Sequence, residues 1–298
     1  MRNTIIDYIT SKAKSDPNIF LVVGDAGFGV VNNYQSLYPN RFLNLGIAEQ
    51  NMISFSAGLA LTGFKVFAYN LIPFLLYRPY EQVRNDICYQ KLPITLIGIG
   101  SGVTYSPHGV THYSVEDIAI AKTMPNLTIL SPADKTEATE CIKFAISSPN
   151  PTYIRIAKNS DLSIHKTTPN IELPIVIKPG KKVAVLFHGS IAEEVIKAGE
   201  NTNVMLISMP MLNPINFKEL LKSLKNIHTI ITVEEHFKDG GLGSIISNWI
   251  VKEQLSFKLI KLGITNEFIH AIKSTEGMRD LYGISAGKIR KVIEREMK

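Results

Sequence analysis

Strand-like and helix-like segments alternate along the chain, and this alternation limits the folds that it can adopt. Short apolar runs such as NIFLVVGD and LPITLIGIG are typical of buried strands that end at a turn. Longer stretches with helical spacing, such as AEQNMISFSAGLALTG, separate them. Because strands that alternate with helices form parallel sheets, the sequence predicts an α/β fold in which mostly parallel sheets are flanked by helices.

The alternation is interrupted by a segment without a clear period. Residues 161–181 contain three prolines, and a second series of strand-like and helix-like segments follows them. A chain of 298 residues is long enough for two domains at about 150 residues each. We therefore predict a first domain over residues 1–160, a linker over 161–181 and a second domain over 182–298.

Two helices in the first half have recognisable starts. The segment SVEDIAIAKTM is predicted to be a helix capped by Ser114, with Asp117 three residues later in a variant of the capping box. The segment RPYEQVRNDICYQ is predicted to be a helix that Arg78 and Pro79 open. Both helices follow strand-like segments, as expected for a parallel sheet.

Charge and apolar content exclude several classes of protein. The net charge is +6, but the lysines and arginines are scattered, so we predict no nucleic-acid binding. A small positive excess suits anionic substrates such as sugar phosphates. No window of 18 apolar residues predicts a membrane span, and the first residues lack the apolar core of a signal peptide. Cys88 and Cys141 belong to no metal-binding motif, so we predict no metal site in this chain and a cytoplasmic protein.

The glycine clusters do not match nucleotide-binding motifs. GDAGFG and GIGSGV each follow a strand-like segment, yet neither lies in a complete dinucleotide-binding pattern. The sequence also contains neither a Walker phosphate loop nor the GxSxG motif of serine hydrolases. Tight turns after strands explain both clusters.

Glu49 is an unusual acid because it heads an apolar helical segment, within NLGIAEQNM. One interpretation is structural, since the macrodipole favours an acid in the first turn of a helix. The other is chemical, since a carboxylate in apolar surroundings can donate or share a proton. The sequence pattern alone leaves both open.

Two further clusters are candidate binding groups. His108 and His112 lie in the loop SPHGVTHYSVED after a strand, where parallel sheets form their ligand crevice, or they are merely exposed loop residues. Phe74 and Tyr77 lie beside Arg78 at a strand-to-helix junction. These aromatic rings either stack on a flat heterocycle or pack in the core.

Taken together, these segments resemble a known family. LNLGIAEQNMISFSAGLALTGFKVFAYN, YRPYEQVRNDICYQKLPITLIGIGSGV and HGVTHYSVEDIAIAKTMPNLTILSPAD resemble the pyrimidine-binding domain of transketolases and 1-deoxyxylulose-5-phosphate synthases. TVEEHFKDGGLGS resembles their C-terminal domain. The resemblance implies that residues 1–160 form a pyrimidine-binding domain for thiamine diphosphate and residues 182–298 a transketolase C-terminal domain.

The resemblance implies cofactor contacts for five residues. Glu49 matches the glutamate that hydrogen-bonds N1′ of the aminopyrimidine and so promotes formation of the ylid, which makes it a catalytic residue. Phe74 and Tyr77 match the region whose aromatic ring stacks on the pyrimidine. Arg78 matches an arginine found in the synthases and in many split transketolases, and Asp25 matches an acid near the thiazolium.

The resemblance also implies substrate contacts. His112 matches a catalytic histidine that contacts donor oxygens, whereas His108 replaces the aspartate of the usual DGxTH loop. Lys158 stands where the family usually has a phosphate-binding arginine, and Arg155 is expected to compensate for the lost bidentate fork. These departures put the usual pentose or hexose phosphates in question.

The GDG motif that binds metal and diphosphate in this family is missing from the sequence. We therefore expect an N-terminal transketolase subunit to supply that motif and its Mg²⁺ or Ca²⁺, in an α2β2 assembly. The expected function is that of the C-terminal subunit of a split transketolase, which transfers a two-carbon ketol unit between sugars. The alternatives are the β subunit of a 2-oxoacid dehydrogenase and a non-catalytic transketolase-like partner protein.

Overall fold

The structure, a computed structural model, describes residues 1–158 and 162–298, so the predicted domain limit between residues 160 and 161 lies outside the described residues. Strands and helices alternate as the sequence predicts. The strands are β1 (Ile19–Val23), β2 (Phe42–Asn44), β3 (Lys65–Leu71), β4 (Thr95–Ile99), β5 (Thr128–Leu130), β6 (Thr152–Ile156), β7 (Ile175–Lys178), β8 (Lys182–Phe187), β9 (Met205–Ser208), β10 (Met211–Asn213), β11 (Ile227–Phe237) and β12 (Lys258–Ile264).

The helices of the described residues lie mostly between consecutive strands. The α-helices are α1 (Arg2–Ala13), α2 (Asn32–Leu37), α3 (Glu49–Leu61), α4 (Tyr80–Gln82), α5 (Asp117–Lys122), α6 (Lys135–Ser147), α7 (Ala192–Gly199), α8 (Phe217–Ser223), α9 (Leu242–Lys252), α10 (Thr275–Leu281) and α11 (Ala286–Met297). Short 3₁₀ helices cover Pro39–Arg41, Val110–His112 and Gly189–Ile191, and π-helices cover Pro73–Tyr77 and Val83–Tyr89.

The first sheet has the strand order β10-β5-β6-β4-β3-β1-β2 among the described residues. Its strands are parallel except β10, which pairs antiparallel with β5 and comes from the second half of the chain. β1, β4 and β6 are buried along their whole length. Burial on both faces of the sheet explains the unbroken apolar sequence of β1 and the mostly apolar sequence of β4, whereas β6 also buries Arg155. Their carboxyl ends meet at one edge of the sheet.

The second sheet has the order β12-β11-β8-β9-β7 in the described part of the chain, and its strands are parallel except β7. β7 lies inside the segment 161–181, for which the sequence analysis predicted no regular structure. It is a short edge strand between Pro174 and Pro179, a position that tolerates proline because one side of the strand needs no partner.

One apolar core runs through both halves of the molecule. Met52 and Leu96 of the first half belong to the same buried cluster as Leu186 and Leu242 of the second half. β10 adds a further connection, since it extends the first sheet although it follows β9 in the chain. The two sheets are thus held in a fixed relation by apolar packing as well as by the chain.

The start of α5 differs from the prediction. The helix begins at Asp117 with Glu116 as its N-cap, and no side chain makes a capping hydrogen bond. Ser114 instead exchanges backbone hydrogen bonds of 2.9 and 3.0 Å with Gly102, so its backbone is extended. The predicted capping box is therefore wrong, because tertiary pairing takes Ser114 away from the helix.

Among the residues that the structure describes, no helix is both long and apolar enough to cross a membrane.

Candidate active site

The candidate residues lie at the carboxyl edge of the first sheet, in loops and helix starts that follow different strands. In parallel sheets this edge forms the ligand crevice, because the loops after neighbouring strands meet there. Glu49 follows β2, His108 and His112 follow β4, and the other side chains follow β1, β3 and β6, namely Asp25, Phe74, Tyr77, Arg78 and Lys158.

Glu49 is the first residue of α3 and is nearly buried, with 8% of its surface exposed. Its Oε1 accepts a hydrogen bond of 2.8 Å from the guanidinium of Arg78, whose side chain is half exposed. The carboxylate borders an open depression of about 430 Å³ that is lined by residues 47–51 and by Arg78. Glu49 thus starts a helix, as the structural interpretation predicts, and its carboxylate also borders a depression that is open to a ligand.

Asn44 fixes the loop that carries Glu49. Its side-chain oxygen accepts hydrogen bonds from the backbone N–H groups of Asp25, at 3.0 Å, and of Gly46, at 2.9 Å. Gly46 has φ +67°, in the left-handed region that favours glycine. The end of β1 is thus tied to the start of α3, and the exposed side chain of Asp25 lies at the same edge as Glu49.

Phe74 connects the two sides of the cleft. It lies in the π-helix Pro73–Tyr77, in which the N–H of Arg78 bonds to the carbonyl of Pro73 five residues earlier. The guanidinium carbon of Arg78 lies 4.3 Å from the centroid of the Phe74 ring. The same ring meets the imidazole of His112 edge to face at 5.6 Å. Such π-helical turns are frequent at functional sites.

Tyr77 points away from the cleft. Its hydroxyl donates a hydrogen bond of 3.1 Å to Glu116, and its ring packs against the main apolar core. Burial, together with the charges of Asp117 and Glu116, raises the pKa of Tyr77 well above 10. Of the two aromatic residues that the sequence could not separate, Phe74 is the one whose ring contacts Arg78 and His112.

The loop after β4 forms a cluster of rings. The imidazoles of His108 and His112 lie 5.1 Å apart, between centroids, and each is close to the ring of Tyr105. The Nδ1 atom of His108 bonds to the carbonyl of Tyr105, and that of His112 to the hydroxyl of Thr111. Among the described residues, neither Nε2 atom has a hydrogen bond.

The electrostatic surroundings keep His112 neutral. Burial, and then the positive charges of His108 and Lys158, lower the pKa of His112 below its usual 6.5. A neutral imidazole at physiological pH can accept a hydrogen bond or a proton from a substrate hydroxyl.

The sequence analysis missed Tyr105, which packs between these groups. The ammonium of Lys158 lies 4.6 Å above its ring. A Cβ atom at Gly100 would lie 2.3 Å from the ring of Tyr105, so the glycine makes room for it. The available signal was an aromatic residue a few positions after a strand that ends in glycines.

Arg155 does not reach the cleft, contrary to its predicted role in substrate binding. Its side chain is fully buried, and its Nε donates to Asp117 at 2.7 Å. Its guanidinium also donates to the backbone carbonyls of Ser114, at 3.1 Å, and of Glu235 in β11, at 2.8 Å. Arg155 therefore connects the two halves of the molecule, and of the two predicted phosphate-binding cations only Lys158 lies at the cleft.

The comparisons with known proteins address the same two halves. Residues 1–160 match the family model described as transketolase, pyrimidine binding domain, and residues 174–289 match that of the transketolase C-terminal domain. The chain belongs to the transketolase family. The predicted family and the predicted fold class, two mostly parallel sheets flanked by helices, are both confirmed.

Relatives of similar length are subunits or sections of transketolases. The chain is 30% identical to one subunit of the apulose-4-phosphate transketolase of Actinobacillus succinogenes, over 97% of this chain and 96% of that protein. It is 31% identical to the putative transketolase C-terminal section of Methanocaldococcus jannaschii, over 88% and 84% of the two chains. The chain is thus a transketolase-type transferase that corresponds to the C-terminal part of a transketolase.

A solved structure supports this assignment. A split gene transketolase, described as an inactive β4 tetramer, superposes with a TM-score of 0.89 at 25% identity and covers 99% of this chain and 97% of its own. The 1-deoxy-D-xylulose-5-phosphate synthase of Dictyoglomus turgidum is 31% identical, but this chain spans only 42% of that enzyme. The match to larger relatives is therefore confined to part of their length.

Proposed function

We propose that this chain is the C-terminal subunit of a split, thiamine-diphosphate-dependent transketolase. It transfers a two-carbon ketol unit between sugar or sugar-phosphate substrates. The observation that carries the proposal is the convergence of Glu49, Phe74 and His112 at one sheet edge, because a carboxylate, an aromatic face and a neutral imidazole are the groups that this reaction requires. The match to one subunit of the apulose-4-phosphate transketolase over nearly its full length supports it.

The residues fit an aminopyrimidine ring. The guanidinium of Arg78, a planar group with N–H donors, already bonds to Glu49 and stacks on Phe74. A planar heterocycle can use the same carboxylate and the same aromatic face. When bound, thiamine diphosphate supplies the carbon nucleophile and the electron sink of the reaction.

The cofactor side of the site is assigned to Glu49, Phe74 and Asp25, and Arg78 lies beside them. Glu49 holds a proton shared with a ring nitrogen, which a neutral amide could not do with the same strength. Phe74 orients the ring by stacking, and Arg78 borders the same position. Asp25, exposed after β1, faces the thiazolium part in this proposal.

The substrate side is assigned to the ring cluster. His112 bonds to donor oxygens through its Nε2, and His108 lies beside it, where the family usually has an aspartate. Lys158 supplies positive charge for a phosphate or another anionic group. Because a histidine and a lysine replace an acid and an arginine, we propose a substrate that differs from the common pentose and hexose phosphates.

A second polypeptide completes the site in this proposal. An N-terminal transketolase subunit with a GDG motif holds the diphosphate and Mg²⁺ or Ca²⁺, in an α2β2 assembly. Exposed apolar side chains in the segments after β1 and β2 support such an interface, since Phe28 is 79% exposed and Ile47 is 77% exposed. We also place the enzyme in the cytoplasm, because Cys88 and Cys141 are both free and buried.

An activity assay tests the proposal. The chain is co-purified with an N-terminal subunit and given a ketose phosphate donor, an aldose phosphate acceptor, thiamine diphosphate and magnesium. We expect ketol transfer by the mixture and none by either chain alone. A 2-oxoacid-dependent reduction of an artificial acceptor, without ketol transfer, would instead identify the β subunit of a 2-oxoacid dehydrogenase. Lack of both reactions, together with no binding of thiamine diphosphate by the mixture, would favour a non-catalytic partner protein.

A further inference from the structure

Arg78 makes two contacts at once in the cleft. Its guanidinium donates to Oε1 of Glu49 at 2.8 Å and lies over the Phe74 ring, with 4.3 Å between the guanidinium carbon and the ring centroid. A guanidinium is planar and delocalised, and it carries N–H donors at its edge. It thus offers Glu49 and Phe74 the same combination of a flat face and an N–H edge that an aminopyrimidinium offers.

We infer that the side chain of Arg78 occupies the position of the pyrimidine ring. The ring must therefore displace this side chain before the cofactor can bind. The inference rests on the proposed function, because it assumes that Glu49 and Phe74 hold that ring. The guanidinium lies against one face of Phe74 and takes Oε1 of Glu49. In this inference the pyrimidine ring uses that same face and that same oxygen, so the two groups cannot make these contacts together. Arg78 therefore lowers the apparent affinity for the ring instead of adding to it.

The surroundings of Arg78 allow this displacement. Its side chain is 52% exposed, whereas Glu49 and Phe74 are held by α3 and by the π-helix. An ion pair with one exposed partner is weak, because water and salt screen it. The same ion pair balances the negative charge of the nearly buried Glu49 carboxylate when no pyrimidine ring is bound. A displaceable ion pair of this sort suits a chain that carries only part of a cofactor site, because its carboxylate needs a partner until the ring binds.

The pyrimidine half of the cofactor tests this directly on the full chain without its partner. The probe is 4-amino-5-hydroxymethyl-2-methylpyrimidine, and its binding is followed by NMR titration at neutral pH. Relative to the unchanged chain, Arg78→Ala should bind the probe about fivefold more tightly, from the combined strength of an exposed ion pair and a cation–π contact. Arg84→Ala is the matched control, because Arg84 is equally exposed but pairs with Glu81 outside the cleft.

Salt provides a second measurement. Raising the ionic strength screens the pair between Arg78 and Glu49, so the unchanged chain should bind the probe more tightly at high salt. Arg78→Ala should show no such gain. Thermal melting of each variant verifies that it is folded.

The possible outcomes separate the inference from the proposed function. Equal or weaker binding by Arg78→Ala, or no binding by either protein, would overturn the inference. If Glu49→Gln and Phe74→Leu bind the probe as well as the unchanged chain, the ring site itself is wrong and the proposed function fails. Loss of binding in those two variants together with a gain in Arg78→Ala supports both.

Discussion

Glu49 is the first residue of a helix, and its carboxylate also borders an open depression. Its position in the first turn of α3 lets the helix macrodipole stabilise its charge, although only 8% of the residue is exposed. Arg78 bonds to Oε1 only, and the carboxylate still borders an open depression. Because Glu49 both starts a helix and borders a depression, the sequence pattern could not decide between the two interpretations.

Substitution of Glu49 tests its role at the scale of one residue. In the enzyme assembled with its partner, Glu49→Gln should lower ketol transfer at least about 100-fold, because the amide cannot share a proton with the ring. The free energy of unfolding should change by no more than about 1 kcal/mol, because the lost ion pair is partly exposed. Activity assays and urea unfolding measure the two quantities. Near-normal turnover would contradict the assignment.

The charges around His112 give a second prediction. Since burial and the charges of His108 and Lys158 lower its pKa below 6.5, His108→Asn and Lys158→Met should each raise the midpoint of its NMR titration. Lys197→Met, on α7, serves as the control and should leave the midpoint unchanged. Unchanged midpoints in the first two variants would show that these charges do not act on His112.

The same shift affects stability in a defined direction. Because the pKa of His112 is lower in the folded chain than in the unfolded chain, the unfolded chain takes up the proton first as pH falls. The contribution of this group to stability is complete above pH 6.5 and is lost as the pH drops through the folded-state value. Unfolding of the unchanged chain and of His112→Asn, compared over that range, measures the difference.

The segment from Pro73 to Tyr89 determines which aromatic side chain meets the cleft. In its first π-helix, the ring of Phe74 faces Arg78 and His112. The side chain of Tyr77 in the same π-helix instead faces Glu116. An ordinary helical pattern does not encode this rotation, because the wide turn depends on the packing of the whole segment. For this reason the sequence predicted an aromatic cluster but not which of its members contacts Arg78 and His112.

The two aromatic residues should respond differently to substitution. Phe74→Leu should weaken cofactor binding by the assembled enzyme about three- to tenfold, as expected for the loss of one ring contact. Tyr77→Phe should leave binding unchanged and lower the free energy of unfolding by about 1 kcal/mol, through the lost hydrogen bond to Glu116. Calorimetry and urea unfolding measure the two effects. If Tyr77→Phe weakened cofactor binding and Phe74→Leu did not, Tyr77 would be the aromatic residue that binds the ring.

Most of the elements could be predicted from hydrophobic spacing, whereas their ends could not. The buried strands β1 and β4 follow directly from their apolar runs. The start of α5 could not be predicted, because Ser114 pairs with Gly102, more than ten residues earlier. The edge strand β7 was missed because it has only four residues and lies between two prolines, a pattern that is typical of a linker. Its strand conformation depends on pairing with β9.

In the whole molecule, Arg155 joins the two sheets. Its guanidinium bonds to Asp117 of the first half and to the carbonyl of Glu235 in the second half. Sequence alone could not distinguish this buried arginine from a phosphate ligand, because both would lie near the end of β6. By contrast, Lys158, which lies three residues later, reaches the cleft and contacts Tyr105.

Removal of Arg155 should therefore affect the whole fold. Arg155→Met leaves Asp117 buried without its partner and should lower the free energy of unfolding by about 3–5 kcal/mol. The exposed Arg84→Met is the control and should change it by less than about 0.5 kcal/mol. Urea unfolding distinguishes the two. A small effect of Arg155→Met would contradict the bridging role.

The central claim is that this chain provides the pyrimidine side of a cofactor site shared with another subunit. Calorimetric titration of thiamine diphosphate with magnesium tests it most directly, on this chain, on an N-terminal subunit that carries GDG, and on their mixture. We predict saturable binding by the mixture, much weaker binding by either chain alone, and a marked loss of affinity when the mixture contains Glu49→Gln. Equal binding by this chain alone, or unchanged binding with Glu49→Gln, would contradict the account.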